Sequence, residues 1–463
     1  MKKHKLDLAI LAILPCIIGS NLLAQSAPSL QEILDSAIVH DYGYENTQLA
    51  LKQIELNQEK IKDTYMPRLE LNAKEGYAYG AFNLTTPAFA IPQLQLGLPE
   101  HENRYMLDNF ITQAELKASF VVFAGGKVGN LKKANEARLE AETLMTTVDR
   151  NTIIENVTAM YDQLGMLKSV KLMLDESQKR LTENKKTAEK ALSLGLITQY
   201  EYNKIDLAVS QLDAKYKEYE GKRKLVLLTL QSATKIDLVR LEKIDEDISL
   251  LAVNYIETPL NRPELRALEA VVRANEYKLK AAKTWWVPKI GASASLTYVG
   301  LHNTNLRTKD PFILTQQPLD YKFQNLNAAP LFMAGVGLKW DLFDGREGIN
   351  DVKRSKLDLQ MAMNKQADTE EKITMQLEKN KVELEIAYSQ IEIKNVALTL
   401  AQNAMSQATK EYEVGLIKSV DLIDAENDLQ QAELEYTQAI FQQRRAAISY
   451  LEAVGTLEII RLK

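Results

Sequence analysis

Residues 126–193 contain no proline, nor do residues 346–413, and apolar side chains return through both stretches at helical spacing. About 68 residues of unbroken α-helix would run roughly 100 Å at ~1.5 Å per residue, longer than any globular core. Within the first stretch the period is seven: Ile153, Met160, Leu167, Leu174, Leu181 and Ala188. The second repeats it with Leu377, Leu384, Ile391, Leu398, Met405 and Tyr412. Past Gly195 the period resumes at Ile205, Leu212, Tyr219 and Val226. Past Gly415 it resumes at Ala425, Ala432, Ala439, Ala446 and Ala453, flanked by Leu422, Leu429, Tyr436 and Tyr450. Heptads sustained this far specify supercoiled helix pairs, and a row of alanines lets backbones approach closely. Taken alone, this pattern also fits an ordinary coiled-coil stalk.

The chain is also written twice. The run from Lys62 to Leu69, centred on Pro67, returns as Lys283 to Ile290 around Pro288. Phe123-Ala124-Gly125 returns as Phe343-Asp344-Gly345, and Leu194-Gly195-Leu196-Ile197 as Val414-Gly415-Leu416-Ile417. All three landmarks recur about 220 residues on, which one chance match could not arrange. A tandem duplication is expected, with repeats at 25–245 and 246–463. Each repeat reads helix, strand, long loop, strand, very long helix, tight turn, helix.

Strands are expected at 67–80, 109–123, 289–300 and 331–343. Leu69, Leu71, Ala73, Tyr77 and Tyr79 alternate with Arg68, Glu70, Asn72 and Lys74; Phe110, Ala114, Leu116, Ala118 and Phe120 alternate with Gln113, Glu115, Lys117 and Ser119. Ile290, Ala292, Ala294, Leu296 and Tyr298, then Phe332, Ala334, Val336, Leu338 and Trp340, repeat the pattern. Period-two alternation gives one apolar and one polar face, as in a membrane barrel or a half-buried soluble sheet. Loops are expected at 81–107 and 301–330, and helices at 126–193, 198–232, 262–286, 346–413 and 418–455. Four strands cannot close a barrel, for which about eight is the practical minimum, so several subunits would have to share one wall.

At the start, Lys2, Lys3, His4 and Lys5 precede a mostly apolar run from Leu8 to Ile18 that closes at Leu22-Leu23-Ala24. This is the layout of a secretory signal peptide, expected at 1–24. Its Cys16 is the only cysteine, so a mature chain would have neither disulfide nor thiol chemistry. Beyond Ala24 no apolar run is long enough for a membrane helix, which leaves a β-barrel possible. The formal net charge of −5 argues against a nucleic-acid binder.

The doubled pattern resembles the TolC-like outer-membrane efflux family over nearly the whole mature chain. The residues that carry it most specifically are Tyr412-Glu413-Val414-Gly415-Leu416, Val420-Asp421-Leu422-Ile423-Asp424-Ala425 and Tyr450-Leu451-Glu452-Ala453-Val454-Gly455. The resemblance implies a homotrimer with a shared twelve-stranded β-barrel in the outer membrane and a helical barrel in the periplasm. It implies a periplasmic adaptor and an inner-membrane pump as partners, with outer-membrane lipid around the barrel; no cofactor is expected. It places adaptor docking at Leu194, Gly195, Leu196, Val414, Gly415 and Leu416. It places a channel constriction at Asp421 and Asp424, with Tyr412 and Glu201 as a pair holding the closed tip. Ile417 stands where better-known members carry a basic residue.

No enzyme is expected. His4, His40, His101 and His302 lack metal-ligand spacing, and Gly125-Gly126-Lys127 lacks the rest of a phosphate loop. Lys/Glu-rich stretches such as 176–190 read as solvated faces. The alternative function is a pore-free periplasmic adaptor or coiled-coil scaffold. An adaptor, however, would carry one hairpin between β-rich domains, whereas this chain repeats two.

Overall fold

The computed structural model describes residues 26–94, 96–254, 262–311, 316–327 and 330–456; the expected signal peptide and Cys16 lie outside the described residues. The chain divides into two units. Among the described residues, those of 26–52, 140–270 and 363–456 form a helical unit, and those of 53–139 and 271–362 form one built on a β-sheet.

The helices are α1 (Leu30–His40), α2 (Tyr42–Lys62), α3 (Lys127–Ser193), α4 (Gln199–Thr234), α5 (Leu238–Leu241), α6 (Pro263–Ala282), α7 (Glu347–Glu413) and α8 (Ser419–Val454). The two long helices α3 and α7 have 67 residues each, and their partners α4 and α8 have 36 each. Helix α1 starts on Ser29, whose hydroxyl accepts the Glu32 N–H, and α6 starts on Pro263, where no N–H is needed.

In the helical unit the heptad positions become one continuous core. Leu167, Leu174 and Leu181 of α3 pack with Leu212, Tyr219 and Val226 of α4, Leu384 of α7, and Ile448 and Leu451 of α8. Fully burying a leucine such as Leu174 or Leu230 contributes about 1.5–3 kcal/mol. Ile153 and Met160 are only partly covered, and Ile154, Val157 and Leu164 take the buried positions in that part of α3. A second cluster joins Met405 to Leu422 and Leu429. Of the alanine row only Ala439 and Ala453 are buried, so within one chain the flanking leucines make most of the α8 seam.

After α5, residues 245–251 lie against α3 and α8 without regular secondary structure, an arrangement that periodicity did not reveal. The Gln443 side chain accepts the Leu251 N–H (3.1 Å) and donates to the Leu251 carbonyl (2.7 Å), and Arg444 donates to the Ser249 carbonyl (3.0 Å). Lys168 reaches both Asp245 (3.1 Å) and Asp247 (2.9 Å). Gly165 lets this segment lie close: a Cβ there would stand 3.3 Å from Glu246 O, Ile248 N and Ile248 Cβ. Arg444 Nε also pairs with buried Asp162 at 2.8 Å, an ionic contact with no aligned hydrogen bond. Burial raises the Asp162 pKa, and Arg444 pulls it back.

The second unit holds an all-antiparallel sheet of β1 (Arg68–Thr86), β4 (His101–Phe123), β5 (Lys289–Thr308), β6 (Asp320–Asn327) and β7 (Leu331–Lys339). Strand β4 lies between β1 and β5; β6 and β7 pair successively along the far side of β5, so the sheet is four strands wide. The small hairpin of β2 (Phe89–Ile91) and β3 (Leu96–Leu98) sits between β1 and β4. Register puts Leu71, Leu116, Leu296 and Phe332 in one row across all four strand positions, and all four are exposed in the single chain. On the other face, Glu70, Lys117 and Ser295 line up with Met333.

The loops expected at 81–107 and 301–330 are largely strand. The β1–β4 ladder continues from Ala81 paired with Met106 to Thr86 paired with His101, and β5 runs to Thr308 against β6. Residues such as Asn83, Thr85 and Glu102 break the alternation, but a ladder of backbone hydrogen bonds does not require it. The last strand ends at Lys339 rather than 343, and the helix expected to reach 286 ends at Ala282. Strand-to-helix corners carry consecutive positive φ in both halves: Gly125 (67°) with Gly126 (80°), and Gly345 (69°) with Arg346 (79°).

Candidate channel tip and the polar network behind it

Both long helices end in the same turn. Gly195 has φ 71° and Gly415 φ 76°, the left-handed conformation that costs other residues about 1–2 kcal/mol. The Gly195 N–H donates to Leu192 O (3.0 Å) and the Leu196 N–H to Ala191 O (2.8 Å); the Gly415 N–H donates to Tyr412 O (3.0 Å) and the Leu416 N–H to Glu411 O (2.8 Å). These paired bonds satisfy the last helical carbonyls. They leave Leu194, Leu196, Val414 and Leu416 pointing outward, 71–75 % exposed. Apolar side chains this exposed on a polar helical hairpin form two small greasy knobs.

The helices that follow begin differently. In α4, Thr198 and Glu201 form a reciprocal capping box: Glu201 accepts the Thr198 N–H (2.8 Å), and Thr198 accepts the Glu201 N–H (3.2 Å). In α8 the Asp421 carboxylate accepts the Lys418 N–H at 3.0 Å, while Asp424 one turn on is exposed. The Tyr412 hydroxyl lies 3.4 Å from Ser419 Oγ within its own hairpin. Among the described residues no hydrogen bond joins Tyr412 to Glu201 within the chain; each is used by its own turn.

Further along the helical unit lies a polar cluster that sequence reading missed. Glu426 of α8 is 1 % exposed, and Arg180 of α3 grips it with both Nε (2.8 Å) and Nη2 (2.9 Å). Ser177 also donates to Glu426, Gln430 donates to Ser177 (2.5 Å) and Glu426 (3.1 Å), and Lys215 of α4 donates to Gln430 (2.6 Å). Glu426 thereby ties α8 to α3, and Gln430 extends the network to α4. Residues 176–190 are therefore not a uniformly solvated face, because Ser177 and Leu181 are buried and Arg180 turns inward. The signal was available: Glu426 stands between Leu422 and Leu429 at helical spacing, on the apolar stripe itself. Nearby, burial raises the Glu433 pKa, opposed by Arg180.

A carboxylate pair near the end of α8 makes stability depend on pH. Half-buried Glu452 is pushed up to about 7 by burial first and next by the charge of Glu155, with Arg262 pulling down and Glu264 adding to the rise. Glu155 accepts from Ser449 (3.1 Å), and Arg262 is engaged by Glu264 (2.5 Å). Because the folded pKa exceeds the usual 4.5, the native state holds a proton that the unfolded chain has released. This contribution is full below that lower value and is lost as pH rises through the folded one. Glu452→Gln is therefore expected to be more stable than the parent above neutrality, with the gap closing by pH 5. Urea midpoints across that range would contradict this if the gap stayed constant.

The fold is similar to that of solved outer-membrane channels. Residues 256–456 match the family model described as "Outer membrane efflux protein". Among solved structures, the outer membrane protein VceC from Vibrio cholerae is 15% identical with TM-score 0.69, over 92% of this chain and 96% of that one. The CmeC outer membrane channel of Campylobacter jejuni is 14% identical with TM-score 0.68, over 92% and 86%. The open state of the MtrE outer membrane channel of Neisseria gonorrhoeae is 13% identical with TM-score 0.62, over 94% and 91%. No curated protein sequence matches the chain.

Proposed function

We propose that this chain is one protomer of a trimeric exit duct in the outer membrane, passively conducting solutes that an inner-membrane pump and a periplasmic adaptor deliver to it. The observation that carries this reading is the sheet. It is four strands wide, it ends in β1 on one side and β6 and β7 on the other, and it exposes a leucine–phenylalanine row on one face. Four strands cannot close on themselves, and long unpaired edges invite pairing with further copies. Three copies give a twelve-stranded barrel with its apolar face to lipid and its polar face to water. The matched lengths of α3 with α7 and α4 with α8, and the equivalent turns at Gly195 and Gly415, support a tandem duplication. A chain with two long-helix hairpins and an antiparallel sheet does not fit a single-hairpin adaptor or a plain scaffold.

In this reading Leu194, Gly195, Leu196, Val414, Gly415 and Leu416 are the adaptor's docking knobs, and Asp421 and Asp424 form acidic rings at the constriction. Tyr412 and Glu201 would meet between neighbouring helix pairs of the assembly. Like-charge rings favour cations. In planar bilayers, Asp421→Asn with Asp424→Asn should move the reversal potential in a salt gradient toward non-selectivity. A potential identical to that of the parent would remove these residues from the constriction.

A further inference from the structure

The sheet unit contains a hollow that the conduit role does not require. Where the strands give way to helices, on the polar face of the sheet, five cations surround a space of about 740 Å³: Arg68, Lys117, Lys127, Lys289 and Lys339. They come from β1, β4, the start of α3, β5 and β7, so every strand position contributes one. The floor is kept open by glycine. Gly291 and Gly337 are paired in register on this face, and a Cβ on Gly337 would meet nothing within 4 Å.

The opposing charge is sparse. Asp341 is the one carboxylate ion-paired to any of the five among the described residues, and it is stretched between Lys289 (3.8 Å) and Lys339 (3.7 Å). Glu70 lies across from Lys117 in register without an ion pair between them. Arg68, Lys117 and Lys127 have no carboxylate within 4 Å among the described residues. Uncompensated cations on a low-dielectric wall concentrate positive potential in the space they surround. Arginine and lysine together are the donors that bind phosphate and carboxylate oxygens.

We propose that this hollow is a binding site for small polyvalent anions, solutes bearing phosphate or carboxylate groups, on the inner wall of the duct. The inference rests on the duct reading, which makes the polar face the lining of a water-filled interior. Three-fold assembly would repeat the site around the wall. A solute held briefly there would be concentrated at the entrance to the barrel, whereas acidic rings elsewhere in the path would favour cations.

The test is calorimetric titration of inorganic pyrophosphate into the full-length assembly in non-ionic detergent. Binding should weaken at least about tenfold, ~1.4 kcal/mol, in the triple variant Arg68→Gln, Lys117→Gln, Lys127→Gln. Gly337→Leu, which fills the floor without changing charge, should weaken it too. Lys132→Gln, which removes a cation paired with Glu136 outside the hollow, should leave it unchanged. Equal affinity in all variants overturns the proposal. So does retention of added phosphatidylglycerol but not pyrophosphate, which would make the site a lipid headgroup contact. A three-copy assembly that binds no pyrophosphate ends this inference and leaves the duct standing; a detergent-free monomer ends both.

Discussion

Arg180→Ala is expected to destabilise the helical unit by about 3–5 kcal/mol, the range for stranding one partner of a buried ion pair. The asymmetry of the pair sets the direction. The Glu426 side chain is 2 % exposed and the Arg180 side chain 28 %. Without the guanidinium the carboxylate stays buried, and its remaining donors are the neutral Ser177 and Gln430. Glu426→Gln should be milder, because the amide keeps the shape and can still bond its neighbours, while Arg180 can swing its charge toward water. Lys394→Ala, which breaks the half-exposed pair with Glu435, provides the baseline at about 0–1 kcal/mol. Denaturant midpoints followed by helical circular dichroism would rank the three. If Arg180→Ala matched Lys394→Ala, the network would not be holding α3 to α8.

Leu116→Arg is the second large effect. Leu116 lies mid-sheet in the row with Leu71, Leu296 and Phe332, on the face assigned to lipid. A guanidinium on the lipid face of a barrel costs roughly 2–4 kcal/mol near the midplane, and each assembled copy would bear that cost. Thr297→Arg on the opposite face stands across from Glu115 in the register and should be tolerated. On a soluble sheet with the same exposed row, Leu116→Arg would fall within about 0.5 kcal/mol, as surface changes usually do. Refolding yield into lipid vesicles distinguishes the two: a selective loss for Leu116→Arg supports the membrane face, and equal yields contradict it.

The two kinds of element were unequally legible in the sequence, for physical reasons. A helix of 67 residues repeats its signal many times, so one displaced seam around Ile154 and Val157 does not hide it. The turns at Gly195 and Gly415 were readable because few residues other than glycine accept that φ. Strand ends were not readable. Alternation reports what each face touches, and it lapses around Asn83 and Thr85 although the backbone pairing continues. The strap at 245–251 has no period, since its anchors Gln443, Arg444 and Lys168 are distant in sequence. Glu426 and Arg180 sit among many Lys and Glu residues, and only the packing of α8 on α3 separates this pair from solvated ones. The candidate site was legible as two matching turns, whereas the partners of Tyr412 and Glu201 within the chain, Ser419 and Thr198, depend on cap geometry.

In the proposed assembly several copies of this chain close one membrane wall. The protein mass of the detergent-extracted complex, by light scattering corrected for bound detergent, tests it most directly. Three copies of the chain are expected in each particle. A single copy that remains soluble when detergent is removed would contradict it, because the open sheet edges and the exposed Leu71–Phe332 row would then need neither partners nor lipid.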